Sequence, residues 1–411
     1  MVRKVQLKTN VSDDSSRAAV QRGGCPNCGA GDLTAFYRVK NVPVHSVLLM
    51  SAREEALAYP RRDIELGYCG ECGFITNREF DPSVHEYSTR YEETQGFSET
   101  FSRFARSLAA RLIDRYDVHG KTVLEVGCGK GEFLELLCEL GDNRGIGVDP
   151  AFVPERMTHL QPGRIEFIQD FFSQRYAHLK ADFICCRHTL EHIGPTREFV
   201  LQIRSAIADR KNALVFFELP DVLRVLREGA LWDIYYEHCS YFSRGSLARL
   251  FEACGFEVLD LELDYHDQYI LIAAVPNDSP ARRGGEVEAD LEALRNAVAE
   301  FPRVCGETMR KWQATLQRIQ DAGERCVIWG GGSKGVAFLT TLGIDKQIEY
   351  VVDVNPHKQG MFMPGSGHPV VAPEFLADYH PDHVIAMNPV YCGEIQEELD
   401  RLNVRAQLHA I

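Results

Sequence analysis

At 411 residues, 45% hydrophobic and 25% charged, the chain is too long for a single core and too ordinary in composition for bulk disorder, so two or three globular domains are expected. A formal charge of -14 with no offsetting basic face argues against nucleic acid as a partner, although one small anion can still be held locally. No run approaches the ~20 apolar residues that span a bilayer, and Met1-Val2-Arg3-Lys4 leads into polar residues rather than an apolar signal core, so no membrane partner and a cytoplasmic location are expected.

In chain order, the residues through about Arg22 read as a polar, loosely held tail. Cys25-Pro26-Asn27-Cys28 and Cys69-Gly70-Glu71-Cys72 follow, two Cys-x-x-Cys knuckles each trailed by a glycine and separated by a segment expected to be mostly irregular. A turn that holds two thiolates on one side supplies half of a tetrahedral sulfur site, and the second knuckle completes it for Zn²⁺. Four protein ligands leave no open position, so the metal is expected to be structural; a redox dithiol and an iron site are the alternatives. The other nine of the thirteen cysteines lie in apolar patterns and read as small core residues, and no disulfide framework is expected.

From Glu86 to about Val118 apolar residues at helical intervals, Phe97, Phe101, Phe104, Leu108 and Leu112, predict a helix. A β-rich run from Lys121 to Val126, the loop Gly127-Cys128-Gly129-Lys130-Gly131 and a helix opening at Glu132 then give strand, glycine turn and helix in order. That order makes a ligand crevice in which side chains at Gly127 and Gly129 are expected to block the ligand. Glycines alone do not choose between a dinucleotide and S-adenosylmethionine. Asp149 ends the next strand 18 positions beyond Gly131, where a carboxylate can accept from ribose hydroxyls. Asp170 ends a further strand and is placed either for an adenine amino group or as a helix cap. The strand from Asp182 leads into His188-Thr-Leu-Glu-His192-Ile, whose two histidines either line the site or make local hydrogen bonds.

With Glu125 directly before the glycine loop, this succession resembles the class I methyltransferases, which implies S-adenosylmethionine as cofactor and Glu125, Gly127, Gly129, Gly131, Asp149, Asp170 and His188 as its binding residues. After a strand ending near Glu218 comes Trp232-Asp-Ile-Tyr-Tyr-Glu-His-Cys-Ser-Tyr-Phe-Ser243, a density of Tyr, Glu and His that packing does not ask for and that suits proton removal beside a carbonyl. The segment is similar to the Tyr-His-Glu-His-x-Ser-Tyr-Phe-Ser signature of the nucleotide-sugar C-methyltransferases of deoxysugar pathways, with Tyr236 in place of the first His. The resemblance implies acid–base and substrate work for Tyr235, Glu237 and His238; His192 is added as a catalytic candidate and Tyr236 as a substrate contact.

Residues from about Ala281 to Ala322 read as helix rich in Glu and Arg. A second α/β unit then opens with Cys326-Val-Ile-Trp-Gly330-Gly-Gly332-Ser-Lys-Gly335, a dinucleotide fingerprint by spacing alone, and its next strand ends on Asp353. This stretch, with Asn355 to Gly360, resembles the C-terminal domain of the same C-methyltransferases, which implies a share in a sugar-nucleotide site, Lys334 and Lys358 suiting its diphosphate. The expected fold is α/β: a zinc module over 1–84, a doubly wound methyltransferase sheet over 85–280, and a Rossmann-like domain over 281–411. The expected reaction is C-methylation of a small-molecule substrate, a nucleotide-linked keto-deoxysugar, with His238 as base assisted by Tyr235 or Glu237. A methyltransferase acting on oxygen or nitrogen of another anionic metabolite, and a catalytically silent binding scaffold, are the alternatives.

Overall fold

A computed structural model of the chain describes residues 24–31, 33–85, 87–156, 163–208, 210–277 and 285–411. The expected tail through Arg22, Glu86 at the expected helix start and residues 281–284 lie outside the described residues.

The segment between the two knuckles is not irregular. It holds β1 (Thr34–Pro43), α1 (Arg53–Ala58) and β2 (Arg61–Tyr68), with β1 and β2 antiparallel and β2 running directly into Cys69. β3 (Ile75–Asn77) follows the second knuckle. The helix expected from Glu86 begins only at Glu99: in α2 (Glu99–Tyr116) Ser98 is the N-cap and accepts from the Phe101 amide, so the chain before it stays irregular.

The central unit continues with β4 (Thr122–Val126), α3 (Glu132–Gly141), β5 (Arg144–Val148), β6 (Ile165–Ile168), β7 (Phe183–Arg187), α4 (Thr196–Ile207) and β8 (Leu214–Pro220). After α5 (Val222–Glu228) come β9 (Ser240–Tyr241), α6 (Arg244–Ala253), β10 (Phe256–Asp264) and β11 (Tyr269–Pro276). Seven of these strands form one sheet in the order β10-β11-β8-β7-β4-β5-β6. Five neighbouring strands run parallel, and at one edge β11 runs against them and β10 turns back to their direction. This is the class I methyltransferase arrangement expected from the sequence. β4 and β7 are near-continuous apolar runs because both their faces are covered by helices. The chain winds outward from β4 and then returns to place β7 on its other side, so the switch point, and with it the ligand crevice, lies at the ends of β4 and β7.

β9 does not join that sheet. It pairs with β3 and completes a four-stranded sheet in the order β1-β2-β3-β9, which binds residues 240–241 of the central unit into the N-terminal one.

The 37-residue helix α7 (Gly285–Asp321) buries Leu294, Val298, Phe301, Cys305, Trp312, Leu316 and Ile319, a stripe repeating at three, four and seven residues. Through that stripe a single core joins Val42 and Ile64 of the first sheet, Trp232 and Leu226 of the central unit, and Phe338 and Ile385 of the last. The C-terminal unit comprises β12 (Cys326–Trp329), α8 (Ser333–Leu342), β13 (Tyr350–Val352), β14 (Val370–Val371), α9 (Leu376–Tyr379), β15 (His383–Ala386), α10 (Cys392–Arg401) and β16 (Gln407–Ala410). Its sheet is parallel throughout, ordered β14-β13-β12-β15-β16, with the glycine loop after β12 again at the switch point.

Candidate active site

The knuckles are built alike. The Cys25 and Cys69 amides donate to the carbonyls of Ala30 and Phe74, and the Gly29 and Gly73 amides donate back to the two cysteine carbonyls. Both glycines hold positive φ, 79° and 76°, which a side chain would resist. The turns bring the sulfurs of Cys25 and Cys72 to 3.6 Å and those of Cys28 and Cys69 to 3.7 Å, all four within 4.8 Å of one another. A tetrahedron with ~2.3 Å zinc–sulfur bonds has edges of about 3.8 Å, so the four residues fit a closed zinc tetrathiolate. Asn27 donates to the Cys72 sulfur at 3.7 Å and accepts from Thr196 at the start of α4, which ties the site to the central unit.

At the end of β4, the expected cofactor residues converge on the glycine loop. Asp149 accepts from the amides of Gly129 (2.9 Å) and Ala151 (2.7 Å); burial pushes its carboxyl up and these bonds oppose the shift. Glu125 is buried, one of its oxygens has no partner, and burial carries it up to about 8 against the pull of Arg187, so it is a neutral acid near pH 7. Lys130 is buried and staples the loop, donating to the carbonyls of Tyr91 and Ala151. Asp170 borders the cavity, accepting from Tyr176 and from the Phe171 amide, and pairs with Arg175. Gly131, at φ 88°, turns the chain into α3.

One of the two glycines expected to keep the ligand's approach open is also required by the protein itself. A Cβ on Gly127 meets Thr189 Oγ1 at 2.0 Å and its Cβ at 2.9 Å, so that position is closed by the protein before any ligand is considered, whereas one on Gly129 meets only the movable tip of Glu93 at 2.6 Å.

The signature segment is stitched to the turn after β7. The Cys239 amide donates to the Glu191 carbonyl at 2.9 Å and the Ser240 hydroxyl to that of Ile193 at 2.6 Å, which brings the rings of His192 and His238 to 4.8 Å. Tyr235 and His238 share a 2.9 Å hydrogen bond between the phenol and Nε2. Burial, reinforced by His192 and His188, holds His238 well below the ordinary range, which favours the neutral imidazole with Nε2 accepting the hydrogen bond of the Tyr235 phenol. His192 is lowered by burial, and its Nδ1 is buried without a partner. His188 sits at φ 47° with Nε2 3.0 Å from Glu218; burial alone would push it down, but Glu218 and Glu191 carry it up to about 9.

Two expected contacts are corrected. Tyr236 is fully buried and does not reach the cavity: its hydroxyl donates to the Glu79 carbonyl and accepts from the Asp81 amide, which replaces the family's histidine with a bolt to the N-terminal unit. Glu237 also lies outside the cavity lining. It accepts from His45 Nδ1, from the Ser46 amide and from the Ser46 hydroxyl, bonds that hold its carboxylate ionised against the penalty of burial.

Tyr235, His238, His188, His192 and the loop from Gly127 share one cavity of about 3900 Å³ with Lys334 and Lys358 of the C-terminal unit. That exceeds the ~300–1,000 Å³ of a one-ligand pocket, so there is room for a cofactor and a second molecule of comparable size. Lys334 is already paired with Asp233 at 2.9 Å, and Lys358 lies 3.7 Å from Asp353. Asp353 repeats the role of Asp149, accepting from the amides of Gly331 and Asn355. The cavity also receives residues that sequence reading passed over: His85 and Tyr87, each with a buried polar atom lacking a partner, and Glu93, raised to about 7 mainly by burial. They fall in the irregular stretch before α2, where no periodic pattern marks them.

A methyltransferase-domain family model matches residues 98–261, and a model of the C-methyltransferase C-terminal domain matches residues 281–407. The chain thus joins a methyltransferase domain to a C-terminal domain of the kind found in C-methyltransferases. It is 27% identical over 389 residues to the C-methyltransferase NovU of Streptomyces niveus, covering 90% of each chain. The chain is an S-adenosylmethionine-dependent methyltransferase. Among solved structures it is similar to a Burkholderia thailandensis 1,6-didemethyltoxoflavin-N1-methyltransferase with bound S-adenosylhomocysteine, at 17% identity and TM-score 0.33 over 42% of this chain and 79% of that one. It is also similar to the magnesium protoporphyrin IX methyltransferase of Synechocystis, at 18% identity and TM-score 0.34 over 43% and 84%. Among the described residues no helix is long and apolar enough to cross a membrane.

Proposed function

We propose that this methyltransferase methylates a carbon next to the ketone of a nucleotide-linked deoxysugar, as a cytoplasmic enzyme of three units over residues 1–84, 85–280 and 281–411. The observation that carries the reading is the Tyr235–His238 pair, a neutral imidazole hydrogen-bonded at 2.9 Å to a phenol on the wall of a two-ligand cavity. When bound, S-adenosylmethionine supplies an electrophilic methyl group on a sulfonium that departs as a neutral thioether. The partnerless oxygen of Glu125 and the carboxylate of Asp149 fit its polar groups, and Gly127, Gly129 and Gly131 shape the loop beneath it.

On the acceptor side, Tyr235 takes the proton beside the ketone while passing its own proton to Nε2 of His238. The Tyr87 hydroxyl, buried without a partner on the same wall, is placed to hold the oxygen on which the enolate charge gathers. Glu237 positions this group by anchoring it to His45 and Ser46. Lys334 and Lys358 face the same cavity for a diphosphate, and Cys25, Cys28, Cys69 and Cys72 hold zinc as a structural ion.

The test is a mass-spectrometric and NMR screen of keto-sugar nucleotides with S-adenosylmethionine. A methyl group on carbon, with solvent deuterium exchange beside the ketone in the presence of S-adenosylhomocysteine, is expected. His238→Ala should depress exchange and methylation together by ~10²–10⁴-fold. A methyl group on oxygen or nitrogen rejects the reading.

A further inference from the structure

Among the described residues, Glu191, between His188 and His192 in sequence, is the one carboxylate on this cavity's wall with both oxygens buried and neither hydrogen-bonded. The residue is only 2% exposed. Leaving a buried carboxylate without donors is costly, and native structures do so chiefly where something else is meant to bind. Its backbone is pinned by the Cys239 amide at 2.9 Å, so the side chain is held where it is by the signature segment itself. Its nearest cation is His188, whose Nδ1 is 3.5 Å away, too far for a good hydrogen bond but close enough to balance the charge. Arg187 and His188 both contact Glu218, so two cations face the two carboxylates and the local charge balances. What Glu191 lacks is hydrogen-bond donors rather than positive charge.

We propose that Glu191 and His192 form a hydroxyl-binding subsite that selects acceptors carrying a hydroxyl beside the reacting ketone. The Glu191 carboxylate accepts from that hydroxyl, and the partnerless Nδ1 of His192 lies beside it to complete the polar contacts. The inference rests on the proposed keto-sugar acceptor and names the feature of that acceptor which the cavity reads. Discrimination of this kind is strong because a site built for a hydroxyl is left with an unpaired buried group when the hydroxyl is missing. Glu191, His192 and His238 also have possible ligand atoms within 4.8 Å of one another, an arrangement that a divalent metal ion could use. The imidazolium of His188 beside the same carboxylate opposes a second positive charge there.

The experiment compares two probes, a thymidine-diphosphate-linked 4-keto-6-deoxyhexose and its counterpart lacking one hydroxyl next to the ketone, by calorimetry on the full chain loaded with S-adenosylhomocysteine. Wild type should bind the hydroxylated probe about 10- to 100-fold more tightly, and Glu191→Gln should erase most of that preference. His192→Asn provides a second variant should the first misfold. Zinc content and S-adenosylhomocysteine affinity should stay at wild-type values in both, which a merely structural role for these residues would not predict. Equal binding of the two probes by wild type, or equal losses for both in Glu191→Gln, overturns the subsite alone. A Mn²⁺ paramagnetic-resonance signal that binds wild type and vanishes in Glu191→Gln overturns it in favour of a metal site. Methyl transfer to oxygen with discrimination intact overturns only the C-methylation reading, and failure of both probes to bind overturns the acceptor class and the subsite together.

Discussion

A buried carboxylate and an imidazole next to it answer to pH in opposite ways, and His188 with Glu218 shows what that does here. The folded pKa of His188, about 9, lies above the ordinary 6.5, so its bound proton stabilises the fold fully below pH 6.5, and the contribution is lost as pH rises through about 9. Urea-unfolding free energies measured from pH 6.5 to 9.5 should therefore decline, by at most about 1.4 kcal/mol per pH unit for one proton, and His188→Gln should lack that share of the decline. At the cofactor side, Asp149→Ala should weaken S-adenosylhomocysteine by roughly 1.5–3 kcal/mol in calorimetry if the carboxylate serves the ribose. Unchanged affinity would show that Asp149 only braces the loop through Gly129 and Ala151. Placement was legible where a motif fixes it: Asp149 lies beside the glycine loop and the four cysteines converge. Tyr236 shows the limit: nothing in its neighbours reveals that its hydroxyl is claimed by Glu79 and Asp81, more than 150 positions earlier in the chain.

Among elements, the glycine loop after β4 is the most constrained. Gly127 combines φ 72° with a Cβ position 2.0 Å from Thr189 Oγ1, so Gly127→Ala should lower the melting temperature through backbone strain of roughly 1–2 kcal/mol plus the clash. Adding Thr189→Ala should recover part of the loss; no recovery would mean that the cost lies in the backbone alone. Strands β4 to β8 were readable to within two residues because parallel strands covered on both faces are unbroken apolar runs bounded by glycine and acidic residues. The start of α2 was not, since apolar spacing extends back through Phe97 while the true boundary is set by the Ser98 cap. β1 and β2 were missed for the converse reason: they are half-exposed, and their alternation is broken by two irregularities in register.

For the whole molecule, the four-cysteine cluster sits in a unit whose own core is shared with its neighbours. Purified protein should contain about one zinc per chain, and Cys69→Ser should lose it together with stability; metal analysis and thermal unfolding check both. Chelation should also reduce activity more than S-adenosylhomocysteine binding, because the acceptor-side residues Tyr235 and His238 hang on Glu237, which His45 and Ser46 hold from the N-terminal unit. The Ser46 hydroxyl touches both Glu237 and, at 2.8 Å, Ser333 on the C-terminal glycine loop, so one side chain meets both of the other units. The two-residue strand β9, lent by the central unit to the N-terminal sheet, carries a consequence for protein engineering. A graft that exchanges only the segment with the four cysteines between relatives would bring a sheet whose outer row of hydrogen bonds was shaped for a different β9. Exchange should succeed when residues 235–243 travel with residues 24–84 as one cassette, although 150 positions of chain separate the two pieces.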